Sequence, residues 1–152
     1  LVGRLVDAGG TLYIERERRR DALRVVHQIA EALQQGDCVA VFPEGTTADG
    51  HALLPFHANL LQAAISPDLP VQPVALRFAD RHSAISPSAA YVGDTSLAQS
   101  LWMLACGEGM VVTLSVLPAR GTRHADRRSL AETLRGDIQQ ALEDIDARHA
   151  PA

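Results

Sequence analysis

Residues 38–50 read Cys38-Val39-Ala40-Val41-Phe42-Pro43-Glu44-Gly45-Thr46-Thr47-Ala48-Asp49-Gly50, an apolar run that stops at a proline. Five apolar residues without polar alternation fit a strand buried on both faces, as at the centre of a parallel sheet. Pro43 brings no backbone N–H and ends the ladder, and Gly45 allows close approach of a ligand to the backbone. Glu44 is therefore expected at the carboxyl end of a central strand, where open α/β sheets hold their ligands. Taken alone, the string also reads as a plain turn, because proline, glycine and aspartate are ordinary turn-formers.

Working outward, short apolar runs alternate with helical periodicity. Leu12-Tyr13-Ile14 after Gly9-Gly10 reads as a short strand. Leu23, Val26, Ile29, Ala30 and Leu33 place an apolar stripe on a helix over 21–35, ended by Gly36. A helix is expected over 59–65, closed by Pro67 and Pro70, and a strand over 71–78 that Pro73 restricts to an edge or bulge. Residues 79–96 form a polar loop, with a short strand suggested at Tyr91-Val92. A helix over 97–106, a strand over 110–117 and an amphipathic helix through Leu130, Leu134, Ile138, Leu142 and Ile145 complete the pattern. Ser129 with Glu132 offers a capping box for the last helix, with Asp126 as a competing cap. Such βαβ alternation predicts an α/β fold, a mostly parallel central sheet flanked by helices, in one domain spanning residues 1–152.

Composition agrees with a globular chain. The 152 residues are 47% hydrophobic and 21% charged, and all 14 basic residues are arginine. A net charge of −4 lacks the basic excess of a nucleic-acid binder. The one locally basic stretch, Glu15 to Arg24, reads mainly as a solvated helix start. No apolar run approaches the ~18 residues that suggest a membrane-spanning helix. Cys38 and Cys106 sit in apolar segments without metal-ligand spacing and are expected as buried free thiols. Trp102, with Leu101 and Leu104, is expected in the core rather than against a membrane.

Two further segments bear on chemistry. Gly10 to Arg16 places Arg16 just past a strand end, and an arginine offers phosphate a planar fork of donors. Leu69-Pro70-Val71-Gln72-Pro73-Val74 holds two prolines in an apolar strand, which is uncommon because each removes a ladder donor.

In this order and spacing the three segments resemble the sequence blocks of the lysophosphatidic acid acyltransferase (PlsC-like) family. Gly10, Ile14 and Arg16 match its Gly-x-x-Phe-Ile-x-Arg block, with Tyr13 for Phe. Phe42, Pro43, Glu44, Gly45 and Thr46 match Phe-Pro-Glu-Gly-Thr identically. Leu69 to Val74, with Pro70 and Pro73, match Val-Pro-Val-x-Pro-Val with Leu69 for the first Val. Residues 54–64 resemble the family's Pro-Phe segment and helix after the third block. The likeness covers about residues 1–80.

The resemblance implies acyl transfer in phospholipid biosynthesis, from acyl-CoA or acyl carrier protein to a lysophospholipid hydroxyl, without cofactor or metal. Arg16, Glu44, Gly45 and Thr46 would hold the acceptor's phosphate and glycerol, and the fourth block would shape the donor side. It also implies a membrane surface as partner, at the cytoplasmic face of the bacterial inner membrane. The family's catalytic His-x-x-x-x-Asp block has no match. Five positions after His27, His51, His57, His82 and His124 stand Ala32, Phe56, Gln62, Pro87 and Ser129, and His149 is too near the end. With Leu1 in place of methionine, the expectation is the C-terminal portion of a longer enzyme, peripheral to the membrane or anchored by an N-terminal segment. A non-enzymatic module for phosphate or anionic lipid is the alternative. Thr47 stands where the family often has Arg, and His57-Ala58-Asn59 replaces a stretch that often carries Lys and Gly. Asp49-Gly50 and the segment after them resemble the branch that includes lyso-ornithine lipid acyltransferases.

Overall fold

The computed structural model describes residues 19–149. The expected strand at 12–14 and the candidate residues Gly10, Ile14 and Arg16 lie outside them. Helix α1 runs Arg19–Gln34 and ends as its glycine predicts. Gly36 takes φ +90°, and the N–H groups of Gly36 and Asp37 return to the carbonyls of Leu33 and Ala32 in a Schellman motif. A 3₁₀ turn at Ala58–Leu61 leads into the single-turn helix α2, Gln62–Ile65. Strand β1 is Val74–Ala79, helix α3 is Leu97–Cys106, strand β2 is Val111–Val116 and helix α4 is Arg127–His149.

The sheet corrects the expected architecture. Among the described residues it has two strands, β1 and β2, and they are antiparallel, with Val74 opposite Val116 and Ala79 opposite Val111. The run Cys38–Phe42 joins no ladder there, and Tyr91-Val92 forms no strand. A central strand needs a neighbour on each edge, and the expected neighbour at 12–14 is not among the described residues. The prolines act as predicted at the start of β1. Val71 and Arg120 exchange both backbone bonds, and Pro73, lacking N–H, accepts from Leu117 through its carbonyl. Regular pairing therefore starts only at Val74.

Alternation along β1 separates the two faces of this ribbon. Ala75, Arg77 and Ala79 are buried, and Ala75 packs with Leu142 and Ile145 of α4. Leu130, Ala131 and Leu134 continue the α4 stripe onto Leu61, while Val25 and Ile29 of α1 close on Ala63 of α2. The opposite face carries the pairs Val74–Val116, Leu76–Leu114 and Phe78–Val112, and all of these side chains except half-buried Phe78 are exposed. Phe42 is 80% exposed and Trp102 72%. No α3 residue is buried, and both cysteines are exposed. The expected core placement of Trp102, Cys38 and Cys106 is thus corrected: all three are exposed, and of the run 38–42 it is Val39 that packs, against Val25, Ile29 and Ala63. No described helix is long and apolar enough to cross a membrane.

Local chemistry sets the helix starts. Ser96 and Gln99 form a reciprocal capping box on α3. For α4 the competing cap wins: Asp126 Oδ1 accepts from the N–H groups of Ser129 and Arg128 at 2.9 and 3.0 Å. Those two amides, the Ser129 one foremost, hold the Asp126 carboxyl below the ordinary aspartate value of 3.8. Asp137 is held below it by bidentate hydrogen bonds from Arg120 at 2.7 and 2.8 Å. Folded values below the unfolded one mean that this stability is present above about pH 4 and is lost as pH falls through the folded values. Melting temperature is therefore expected to decline on acidification below about pH 4. The decline should flatten in the variants Asp126→Ala and Asp137→Asn; an unchanged slope in both would contradict the assignment.

Gly136 stands in the middle of α4, with nothing within 4 Å of where a Cβ would sit. Gly136→Ala is expected to stabilise the fold by about 0.5–1 kcal/mol, because it removes backbone freedom from the unfolded chain at no steric cost. Chemical denaturation reads this as a raised midpoint with an unchanged slope.

Candidate acceptor site

The residues after Phe42 form a closed loop. The Gly45 N–H donates to the Phe42 carbonyl at 3.1 Å, making a four-residue turn with Pro43 at its second position. No described non-glycine residue apart from Asp68 and His124 has positive φ, so Glu44 fits a type I turn and Gly45, at +69°, the left-handed position after it. The His57 N–H then donates to the Pro43 carbonyl at 2.7 Å, joining the two ends of residues 43–57 as in an Ω-loop. The His57 ring crosses the turn: a Cβ on Gly45 would lie 2.8 Å from its Cδ2 and 2.9 Å from its Nε2. Glycine at 45 is thus required twice, by its backbone conformation and by the imidazole beside it.

Glu44 closes the loop from within. Its Oε2 accepts from the Leu54 N–H at 2.7 Å, while Oε1 accepts no hydrogen bond among the described residues. Glu44 is half-buried, and Gly45 and Thr46 are exposed. A carboxylate with one oxygen anchored and one open is suited to accept a hydrogen bond from a ligand hydroxyl. The loop's tip is held elsewhere. Thr47 Oγ1 donates to the Tyr91 carbonyl, and Asp49 Oδ1 accepts from the His51 N–H at 3.0 Å.

Two arginines that sequence reasoning missed brace this loop from the core. Arg77 of β1 is 7% exposed. Its Nη1 donates to the Gly50 carbonyl at 2.5 Å, and its Nη2 to Asp146 Oδ2 of α4 at 2.7 Å. Arg135 of α4 donates to the carbonyls of Leu53 and Leu54 at 2.6 and 3.2 Å. The signal for Arg77 was visible as a charged residue at a core-facing position of an apolar strand. Arg135 gave none, since it stands among ordinary helix-surface residues.

Of the expected site residues, Phe42, Pro43, Glu44, Gly45 and Thr46 form one turn, though Phe42 points to solvent. Pro70 and Pro73 belong to the segment paired with 117–120, and no hydrogen bond links that segment to the turn among the described residues. Arg16, Ile14 and Gly10 lie outside the described residues. Among the described residues, no three histidine, cysteine or carboxylate side chains are grouped to hold a metal ion.

Similarity to known proteins includes the same segment. The family model described as "Acyltransferase" matches residues 1–77. The lyso-ornithine lipid O-acyltransferase of Pseudomonas aeruginosa is 33% identical over 142 residues, covering 93% of this chain and 54% of that protein. The 1-acyl-sn-glycerol-3-phosphate acyltransferase of Neisseria gonorrhoeae is 31% identical over 145 residues, covering 95% and 56%. The human 1-acyl-sn-glycerol-3-phosphate acyltransferase alpha is 34% identical over 68 residues, covering 44% and 24%. The chain thus spans about half the length of the bacterial relatives. No solved structure matches it. The match over half the chain, in the half that contains the Phe42–Thr46 turn, shows that the protein belongs to the acyltransferase family of PlsC-like members.

Proposed function

We propose that this chain carries the acceptor side of an enzyme that moves a fatty acyl group from an acyl thioester, acyl-CoA or acyl carrier protein, to the hydroxyl of a lysophospholipid. One observation carries the reading: the family's Phe-Pro-Glu-Gly-Thr block is present unchanged and folds into a turn with one Glu44 oxygen anchored and the other, among the described residues, open. Glu44 Oε1 orients the acceptor's one free glycerol hydroxyl by accepting from it before the base takes that proton, and Gly45 and Thr46 line the exposed side of the turn. Arg16 binds the acceptor's phosphate through its bidentate fork. Relatives named for lyso-ornithine lipid and for 1-acyl-glycerol-3-phosphate are both similar to the chain; the phosphate and glycerol contacts proposed here are those of the second acceptor, since an ornithine lipid has neither group.

Acyl transfer also needs a base for the acceptor's proton and donors for the oxyanion. The His-x-x-x-x-Asp pattern that would supply the base does not occur in the 152 residues. By themselves these residues are expected to bind acceptor without turning it over. A radiolabelled acyl thioester, offered with lysophosphatidic acid or lyso-ornithine lipid, tests this. Product from the full-length protein and none from the 152 residues is the expected result. Turnover by the 152 residues would overturn the assignment of the base, and no product from either would favour the non-enzymatic anionic-lipid module. Action at the cytoplasmic membrane surface belongs to the same reading and is supported by the lipid acceptors of the relatives.

A further inference from the structure

Arg135 has an unusual set of partners for a half-buried guanidinium. Among the described residues it pairs with no carboxylate. Both of its hydrogen bonds go to backbone carbonyls, those of Leu53 and Leu54. The Leu53 carbonyl belongs to the same peptide unit as the Leu54 N–H, and that N–H donates to Glu44 Oε2 at 2.7 Å. A cation therefore sits at the oxygen end of one peptide and a carboxylate at its hydrogen end. A charge at one end of a hydrogen-bonded chain polarises the amide between and strengthens the donor at the other.

We infer that Arg135 is a positioning residue for the acceptor site: through the 53–54 peptide it fixes Glu44 Oε2 against the loop and so aims Oε1 at the acceptor. This inference rests on the proposed role of Glu44. The second bond, from Nε to the Leu54 carbonyl, matters for the orientation, because one rigid fork holding the carbonyls of two successive peptides fixes the 53–54 plane relative to the next one across the Leu54 Cα. An ammonium group can reach one of them but cannot set that plane. Arg135 lies outside the residues matched by the family model, in a helix whose sequence shows only amphipathic periodicity.

The test combines one spectroscopic and one kinetic reading. In the 152-residue chain, the Leu54 amide proton is followed by NMR, for its shift and its hydrogen-exchange rate. Arg135→Met, which keeps the aliphatic stem, is expected to move the resonance upfield and speed exchange by about tenfold relative to the fold's other protected amides. Arg135→Lys should recover part of both. In the full-length protein, Arg135→Met is expected to raise the acceptor KM by about three- to tenfold with little change in kcat or in donor KM, as loss of uniform binding does. Combined with Glu44→Gln it should add little further, since the two act through one chain. A wild-type Leu54 amide in Arg135→Met, or kinetic effects that simply multiply with those of Glu44→Gln, would overturn the relay. An unchanged acceptor KM in Glu44→Gln alone would instead overturn the acceptor role of Glu44, while the Leu54 amide still reports on the relay.

Discussion

Glu44→Ala is expected to lower kcat/KM for the acceptor in the full-length protein by about 10- to 100-fold, the value of one charge-assisted hydrogen bond of roughly 1.5–3 kcal/mol. Alanine removes both oxygens. One holds the Leu54 N–H at 2.7 Å, and the other is, among the described residues, the open acceptor on the turn. Glu44→Gln separates these roles, because an amide oxygen still satisfies the Leu54 N–H and keeps residues 43–57 closed. Its loss should therefore come almost wholly from the ligand side, as a raised acceptor KM with the donor KM unchanged. Equal effects on donor and acceptor in both variants would place Glu44 outside the acceptor site.

Asp146→Ala is expected to destabilise the fold by about 2–4 kcal/mol, because it leaves the Arg77 guanidinium buried without its counter-charge. The figure is set below that of a fully buried pair, since the Asp146 side chain is 31% exposed. At this chain length it corresponds to a fall in melting temperature of roughly 5–15 °C. The pair is not ideal to begin with: Arg77 Nε and Asp146 Oδ1 are buried without hydrogen-bond partners among the described residues. An apolar replacement of both should accordingly recover stability, so Arg77→Met combined with Asp146→Leu is expected to melt above Asp146→Ala alone. It should not reach the wild-type value, because the bond from Arg77 to the Gly50 carbonyl is lost as well. A double variant less stable than the single one would show that the charge pair, rather than its desolvation, governs this site.

The sequence was most legible where local chemistry alone acts. Gly36 closes α1, Pro73 delays β1, and the α4 stripe from Leu130 to Ile145 meets the core as its spacing requires. The Phe42–Thr46 turn was legible for the same reason, since proline and glycine determine it within a few residues. Features that depend on distant partners were not. An apolar run such as Cys38–Phe42 announces burial but not what covers it, and among the described residues Phe42 remains open to solvent. The direction of pairing failed similarly: β1 and β2 are separated by a helix-containing connection, which suggested a parallel crossover, yet they pair antiparallel. Of the bracing arginines, Arg77 was marked by its core-facing position in an apolar strand, whereas Arg135 was hardest to foresee, because it acts on backbone carbonyls, which have no signature in the side-chain sequence.

On this reading the acceptor binds at the loop of residues 43–57. Backbone amide shifts of the 152-residue chain, titrated with a short-chain lysophosphatidic acid below its micelle concentration, test that directly. Saturable shifts at Glu44, Gly45, Thr46 and Leu54 are expected, and they should vanish in Glu44→Ala. No saturable shift there, or shifts confined to the exposed apolar helix around Trp102, would contradict it.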